Sequence, residues 1–199
     1  MPRRSQQERS RVTRAALVAT ARGLFAERGY AQVPAEEIVT AAGVTRGALY
    51  HHFADKQQLF RAVFEELEGE VSAEIAAAIA AAPDRPTGMV VGLGRFLDVC
   101  QRPEVAQIAL TDAPAVLGWQ TWREIEAHHG LGVITEGLEA AARDGLPVPA
   151  PMPVLAQLVL SAVIEAALLI THAADPKAAR ADAEQALLTL LSGMVRQPP

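Results

Sequence analysis

The chain has 199 residues, a formal net charge of −5 and a single cysteine, Cys100. Half of the residues are apolar, which is enough for the core of one ordinary domain or two small ones. One cysteine excludes an internal disulfide and a zinc site built on several cysteines, and it fits a reducing cytoplasm. The start MPRRSQQERSRVTR is too polar for the apolar region of a secretory signal peptide, so we expect none there.

Charge is distributed unevenly along the chain. Residues 1–60 hold nine Lys and Arg against five acids, and the remainder holds nine against eighteen. A basic head on an acidic body indicates an anionic partner for the head only. A solvated basic N-terminus with no partner is the alternative.

The N-terminal region predicts short helices. Apolar residues recur at helical spacing from Ser10 or Thr13 to about Arg28. A short second helix is predicted with Pro34 at its first position. Gly43 then ends that helix, because glycine permits a turn that a Cβ would strain.

The stretch GVTRGALYHHF predicts a third helix with two different faces. Thr45 has the chemistry of a helix cap. Leu49 and Phe53, four residues apart, are expected to pack inward. Arg46 and Tyr50 then share another face. Two short helices joined by such a turn have the layout of a helix-turn-helix, whose second helix enters the major groove of DNA.

The rest of the chain also predicts helices, separated by proline and glycine breaks. The predicted spans are 55–82, 87–101, 103–111, one long run over 113–145 bent near 130 and 132, 154–174 and 177–195. LPVPAPMP is expected to form an extended, stiff loop. The most apolar window, 155–174, carries too many polar residues for a membrane span, so we expect a buried helix. No segment alternates at period two over a strand's length, so the predicted fold class is all-α.

The segment AALVATARGLFAERGYAQVPAEEIVTAAGVTRGALYHHFADKQQLF resembles the DNA-binding head of TetR-family transcriptional regulators. The residues that carry the resemblance are Ala16, Leu24, Phe25, Gly29, Tyr30, Ile38, Ala42, Gly43, Val44, Gly47, Leu49, Tyr50, His52, Phe53, Lys56 and Leu59. Val33 and Pro34 depart from it, because the family usually has a hydroxyl residue there to cap the next helix.

The resemblance implies a cytoplasmic homodimer and a regulator of transcription. An N-terminal three-helix helix-turn-helix head over 1–58, with its recognition helix at 46–53, would bind double-stranded DNA at a palindromic operator. A C-terminal helical bundle over 59–199 would bind a small effector and dimerise. An effector-released repressor is the expected function, with no cofactor, no metal and no membrane partner.

Eight residues are candidate DNA contacts: Thr45, Arg46, Gly47, Tyr50, His51, Lys56, Arg3 and Arg4. Arginine suits guanine or phosphate, so Arg46 is the candidate base reader. Lys56 opposes the dipole of its helix, and the resemblance implies a phosphate partner. Arg3 and Arg4 form either an arm that reaches DNA or an unused tail. Adjacent residues on a helix point about 100° apart, so His51 and His52 are not expected to share a metal ion.

Five residues are candidate effector contacts: Phe96, Cys100, Trp119, Trp122 and Glu165. The expected effector is small and mainly apolar, because such pockets are apolar with few polar groups. The alternative for both tryptophans is core packing. Glu165 faces solvent, the pocket or the dimer interface.

An enzyme is the rival function. Glu126 with His128 or His129 offers residue types for acid–base chemistry. The sequence nevertheless has no nucleophile elbow, phosphate loop, metalloprotease motif or paired-carboxylate motif. No catalytic residue is therefore predicted.

Overall fold

The computed structural model describes residues 6–145, 147–148 and 151–194, and these ranges contain helices and no strand. The α-helices are α1 (Gln6–Arg28), α2 (Ala35–Ala41), α3 (Arg46–His52), α4 (Lys56–Ala80), α5 (Arg85–Cys100), α6 (Pro103–Val105), α7 (Ala113–Leu117), α8 (Trp119–Arg143), α9 (Met152–Thr171) and α10 (Pro176–Met194). A 3₁₀ turn, Tyr30–Gln32, follows α1, and a π-helical stretch, Ala106–Asp112, joins α6 to α7. The predicted all-α class is confirmed.

The chain forms two compact units. Unit 1 comprises Met1–Leu67 and Pro103–Gln120, and unit 2 comprises Glu68–Arg102 and Thr121–Pro199. The boundary within α4 thus lies nine residues beyond the predicted functional division at residue 58, and unit 1 includes a second segment. The functional division itself stays a prediction.

An aromatic cluster forms the centre of unit 1. Phe25 of α1 and Phe60 of α4 are fully buried, with ring centroids 5.4 Å apart. The ring of Tyr30 lies 5.5 Å from Phe25 and 5.1 Å from Phe60. Leu59 and Val63 are buried on the same helix as Phe60. Edge-to-face aromatic contacts add specific geometry to this apolar burial.

Residues 103–120 are bound by hydrogen bonds to the N-terminal segment of unit 1, which we call the head. Arg22 of α1 donates to both carboxylate oxygens of Glu104, at 2.6 and 3.2 Å. The backbone N–H of Tyr30 donates to Asp112 at 2.7 Å. Bidentate arginine–carboxylate pairs and bonds to a charged acceptor are the stronger kinds of hydrogen bond. This segment therefore belongs structurally to the head, which the sequence analysis missed.

Unit 2 is centred on α5, α9 and α10. Its apolar cluster consists of Leu93 and Leu97 from α5, Ala166 and Ile170 from α9, and Leu187 from α10. By length and composition alone α9 could cross a membrane, a test that core helices of soluble proteins also pass. A third of its apolar window is buried within the protein, and we interpret α9 as a core helix.

Several predicted boundaries are wrong. The predicted run over 113–145 is two helices, because Gly118 adopts φ 80° between α7 and α8. Pro34 precedes α2 as its cap with extended backbone, rather than forming its first residue. α9 begins at Met152, so Pro153 lies in its first turn, where a missing N–H costs little.

Gly92 marks a close approach of α5 to α4 in unit 2. A Cβ on Gly92 would lie 2.7 Å from two side-chain carbons of Ile79, whereas a Cβ on Gly137 would meet no atom within 4 Å. We expect Gly92→Ala to destabilise the protein by about 1–3 kcal/mol through overpacking. Gly137→Ala should instead stabilise it by about 0.5–1 kcal/mol by favouring the helix. Urea unfolding of the two variants measures both effects, and equal stability would contradict this packing.

Candidate functional site

The turn between α2 and α3 forms as the sequence predicts. Gly43 adopts φ 65° there. The side-chain oxygen of Thr45 accepts a hydrogen bond from the Ala48 backbone N–H at 3.2 Å, which caps α3. Leu49 is fully buried and Phe53 is 5% exposed. The inward face of α3 is thus confirmed, and its other face is free to meet a partner.

Five of the predicted DNA contacts are exposed in unit 1: Thr45, Arg46, Gly47, Tyr50 and His51. The Arg46 guanidinium carbon lies 5.5 Å from the centre of the Tyr50 ring. Arg46 also pairs with Glu36 of α2, with N and O atoms 3.0 Å apart. Both side chains of this pair are about two-thirds exposed, so the pair is weak and can be exchanged for another anion.

Lys56 has an internal role that sequence reasoning missed. Its Nζ donates to the backbone carbonyls of Tyr30 and Val33, both at 2.9 Å. The same Nζ lies 3.8 Å from the centre of the Tyr30 ring. Partial burial lowers the pKa of Lys56, while the charge of Asp112 acts to raise it. These contacts stabilise the turn after α1. The predicted contact of Lys56 with a DNA phosphate stays a prediction.

Two further features concern the start of α2 and the end of α3. No side chain caps α2, because Pro34 stands at the cap and Val33 is fully buried. Partial burial, His51 and Arg14 lower the pKa of His52, so its imidazole is mainly neutral at pH 7. Arg3 and Arg4 lie outside the described residues.

Unit 2 contains a buried carboxyl, Glu126, and a partly buried carboxyl, Glu68, that influence each other. Glu126 of α8 is 6% exposed, and burial raises its pKa to about 7, against opposing effects of Arg123 and a hydrogen bond from Trp122. Burial and the charge of Glu126 raise the pKa of Glu68 on α4 well above its usual value. Burial and both carboxyls also raise the pKa of the Cys100 thiol. Periodicity alone does not reveal such a pair, because α4 and α8 are far apart in sequence.

The structure separates the predicted effector contacts. Cys100 and Trp122 are buried in unit 2 beside Glu126. Phe96 packs against the apolar cluster of α5, α9 and α10. Trp119 belongs to unit 1 and is 66% exposed. Glu165 is exposed on α9. Only the first two therefore share one environment.

One face of α9 is apolar and exposed. Val154, Leu158 and Leu169 lie on it, each more than half exposed, and Glu165 has the same helical phase. We call these four residues the α9 stripe. Ala166 and Ala167, on the opposite side of α9, are buried inside unit 2.

Within the described residues, no group of three or more His, Cys, Asp or Glu side chains is placed to hold a metal ion. The described side chains thus provide a polar exposed helix face in unit 1 and a buried carboxyl, that of Glu126, in unit 2.

Two family models match the chain. One, described as bacterial regulatory proteins of the tetR family, matches residues 17–63. The other, described as a tetracyclin repressor-like C-terminal domain, matches residues 86–194. Together they cover the helix-turn-helix and most of the remaining chain.

A solved structure of a TetR-family transcriptional regulator from Pectobacterium atrosepticum is 34% identical, with a TM-score of 0.85. The match covers 98% of this chain and 100% of the Pectobacterium atrosepticum chain. The regulator CymR of Pseudomonas putida is 43% identical over 70 residues, 35% of this chain and 34% of its own. The Tn10 TetC protein of Escherichia coli is 48% identical over 61 residues, 31% of each chain. The chain thus spans about a third of the length of the curated relatives it matches.

Glu126 makes stability depend on pH. Its native pKa of about 7 exceeds its ordinary value of 4.5, so between these values the native state binds more protons than the unfolded chain. Stability should therefore fall as pH rises through this window, by up to about 3 kcal/mol for this group. Glu126→Gln should remove that part of the loss.

Urea unfolding at pH 5 and pH 8 measures this effect. Glu136→Gln is the matched control, because Glu136 lies exposed on the same helix. If Glu126→Gln and Glu136→Gln change the pH dependence equally, Glu126 does not hold a proton in the native core.

Proposed function

Since the chain belongs to the TetR family of bacterial transcriptional regulators, we propose that it is a repressor released from DNA by a small effector. In this proposal a homodimer binds a palindromic operator. Residues 1–58 bind the DNA, and residues 59–199 bind the effector and dimerise. The family consists of regulators rather than enzymes, in agreement with the sequence analysis.

One observation carries the DNA-binding role: α3 buries its apolar side and exposes its polar side. The exposed side chains of Arg46, Tyr50 and His51 have the chemistry of base and phosphate contacts. The Glu36–Arg46 pair holds the arginine in the free protein. DNA would displace Glu36, since phosphate and guanine both accept hydrogen bonds from a guanidinium.

Titrations against two duplexes test this role. One duplex is selected from a random pool by the wild-type protein, and the other has an unrelated sequence. Arg46→Ala should weaken binding to the selected duplex about tenfold and reduce the preference for it. Tyr50→Ala should weaken binding to both duplexes alike, because phosphate contacts carry no sequence information.

Glu36→Gln should strengthen binding about threefold, because it removes the competitor for Arg46. Glu37→Gln is the matched control, since the neighbouring Glu37 pairs with Arg28 instead. Wild-type behaviour of both Arg46→Ala and Tyr50→Ala would show that α3 is not the recognition helix.

The α9 stripe supports dimerisation by a second copy of the chain. Val154 and Leu158 are four residues apart, and Leu169 lies eleven residues further on in the same helical phase; Leu190 of α10 is also 59% exposed. A symmetric contact would bury the same face on both subunits. Glu165 would then enter the interface. A carboxylate buried there without a hydrogen-bonding or charged partner would destabilise the dimer.

Leu158→Asp should shift the protein from about 42 kDa to the monomer mass of 21.1 kDa in light scattering at micromolar concentration, because it places a charge in the apolar contact. Val90→Asp is the control, since Val90 is an exposed residue of unit 2 on α5. A Leu158→Asp protein that remains dimeric would rule out the α9 stripe as the interface.

The buried surroundings of Cys100 and Trp122 support effector binding in unit 2. Their apolar side chains suit a mainly apolar molecule, and the carboxyl of Glu126 adds an acceptor for a hydrogen-bond donor. Residues 103–120 connect α5 directly to α8 and are fastened to the head through Glu104 and Asp112. A change around the effector therefore has a short route along the chain to the DNA-binding unit.

Identifying the effector tests its release of DNA. A molecule extracted from the purified protein and identified by mass spectrometry should lower DNA affinity when it is added back. It should also change the fluorescence of buried Trp122 in a Trp119→Phe protein. Unchanged DNA affinity at saturating ligand would contradict effector release.

A further inference from the structure

A groove in unit 1 borders the C-terminal end of α3 at His52. It has a volume of about 450 Å³. The residues that line it are Arg14, His52, Phe53, Ala54, Gln58, Arg61, Ala62 and Glu65. None of them belongs to the predicted set of DNA contacts, although His52 directly follows His51 on the recognition helix.

Arg14 brings an uncompensated positive charge to the groove. Its guanidinium carbon lies 5.2 Å from the centre of the Phe53 ring. This cation–π contact orients the side chain without neutralising its charge. Arg22, Arg28 and Arg46 of the same unit all pair with carboxylates. In the described part of the chain, Arg14 has no ion pair.

Arg61 brings a second guanidinium to the groove. Its Nε donates to Glu65, one helical turn further along α4, at 2.9 Å. Both side chains are more than two-fifths exposed, and exposed pairs of this spacing are weak. Glu65 can therefore give way to a stronger anionic acceptor such as a phosphate.

We propose that this groove binds a backbone phosphate of duplex DNA, with Arg14 and Arg61 as its ligands. The proposal rests on the proposed DNA binding by α3 and extends its contact surface to α1 and the second turn of α4. The groove is open and continuous with α3 through His52 and Phe53. An extended polyanion can lie along such a surface, and phosphate contacts of this kind fix the register of a protein on DNA.

The test is a DNA titration of Arg14→Gln and Arg61→Gln at several salt concentrations, using the duplex selected by the wild-type protein and an unrelated duplex. Each variant should lose about three- to tenfold in affinity for both duplexes. The slope of log affinity against log salt should become shallower by about 1 for each arginine removed. Arg11→Gln is the matched control, because Arg11 lies exposed on α1 outside the groove.

A second variant changes binding in the opposite direction, which a folding defect does not imitate. Glu65→Gln frees Arg61 and should raise affinity for both duplexes about threefold. Glu27→Gln removes a charge from α1 outside the groove and should have a smaller effect.

The groove proposal is overturned if the wild-type protein binds DNA but the Arg14 and Arg61 variants match Arg11→Gln in affinity and salt slope. It is also overturned if inorganic phosphate at millimolar concentration protects the wild-type protein from thermal unfolding, the Arg14 variant loses this protection, and DNA affinity is unchanged. The groove would then bind a free anion. Failure of the wild-type protein to bind either duplex would instead overturn the proposed function.

Discussion

The exposed surface of α3, which we propose binds DNA, depends on the burial of Leu49 and Phe53. α3 has only seven residues, and isolated helices shorter than about 12–15 residues are marginal in water. Its stability must come from its two inward side chains and from the cap that Thr45 provides. Burying these side chains also decides which residues of α3 remain outside, so the packing of α3 determines the surface that we propose for DNA recognition.

The charges around α3 follow from this arrangement. Phe53 closes the helix and also carries the guanidinium of Arg14 on its ring. Lys56 binds two carbonyls in the turn after α1, so one cation adjacent to the surface already has internal partners. Arg46 forms an ion pair with Glu36. The free head thus holds its basic residues in weak or internal contacts, and we infer that DNA binding exchanges some of these partners.

Much of the head could be predicted because its signals are local. A turn glycine, Thr45 as a cap and the Leu49–Phe53 spacing specify the helix-turn-helix within a few residues. The pairing of Glu68 with Glu126 could not be predicted, since residues distant in sequence meet only after packing. The π-helical stretch over 106–112 and its attachment to the head through Asp112 likewise depend on tertiary contacts. Trp119 and Trp122 are only three residues apart, but the structure buries only Trp122 of the two.

Hydrogen–deuterium exchange of the protein with and without its selected duplex tests the central claim most directly. In the free protein, amides of α3 should exchange slowly despite the short helix, because core packing holds it. Adding the duplex should slow exchange further in peptides covering 45–58. Rapid exchange of α3 in the free protein, together with DNA protection confined to other segments, would contradict the account.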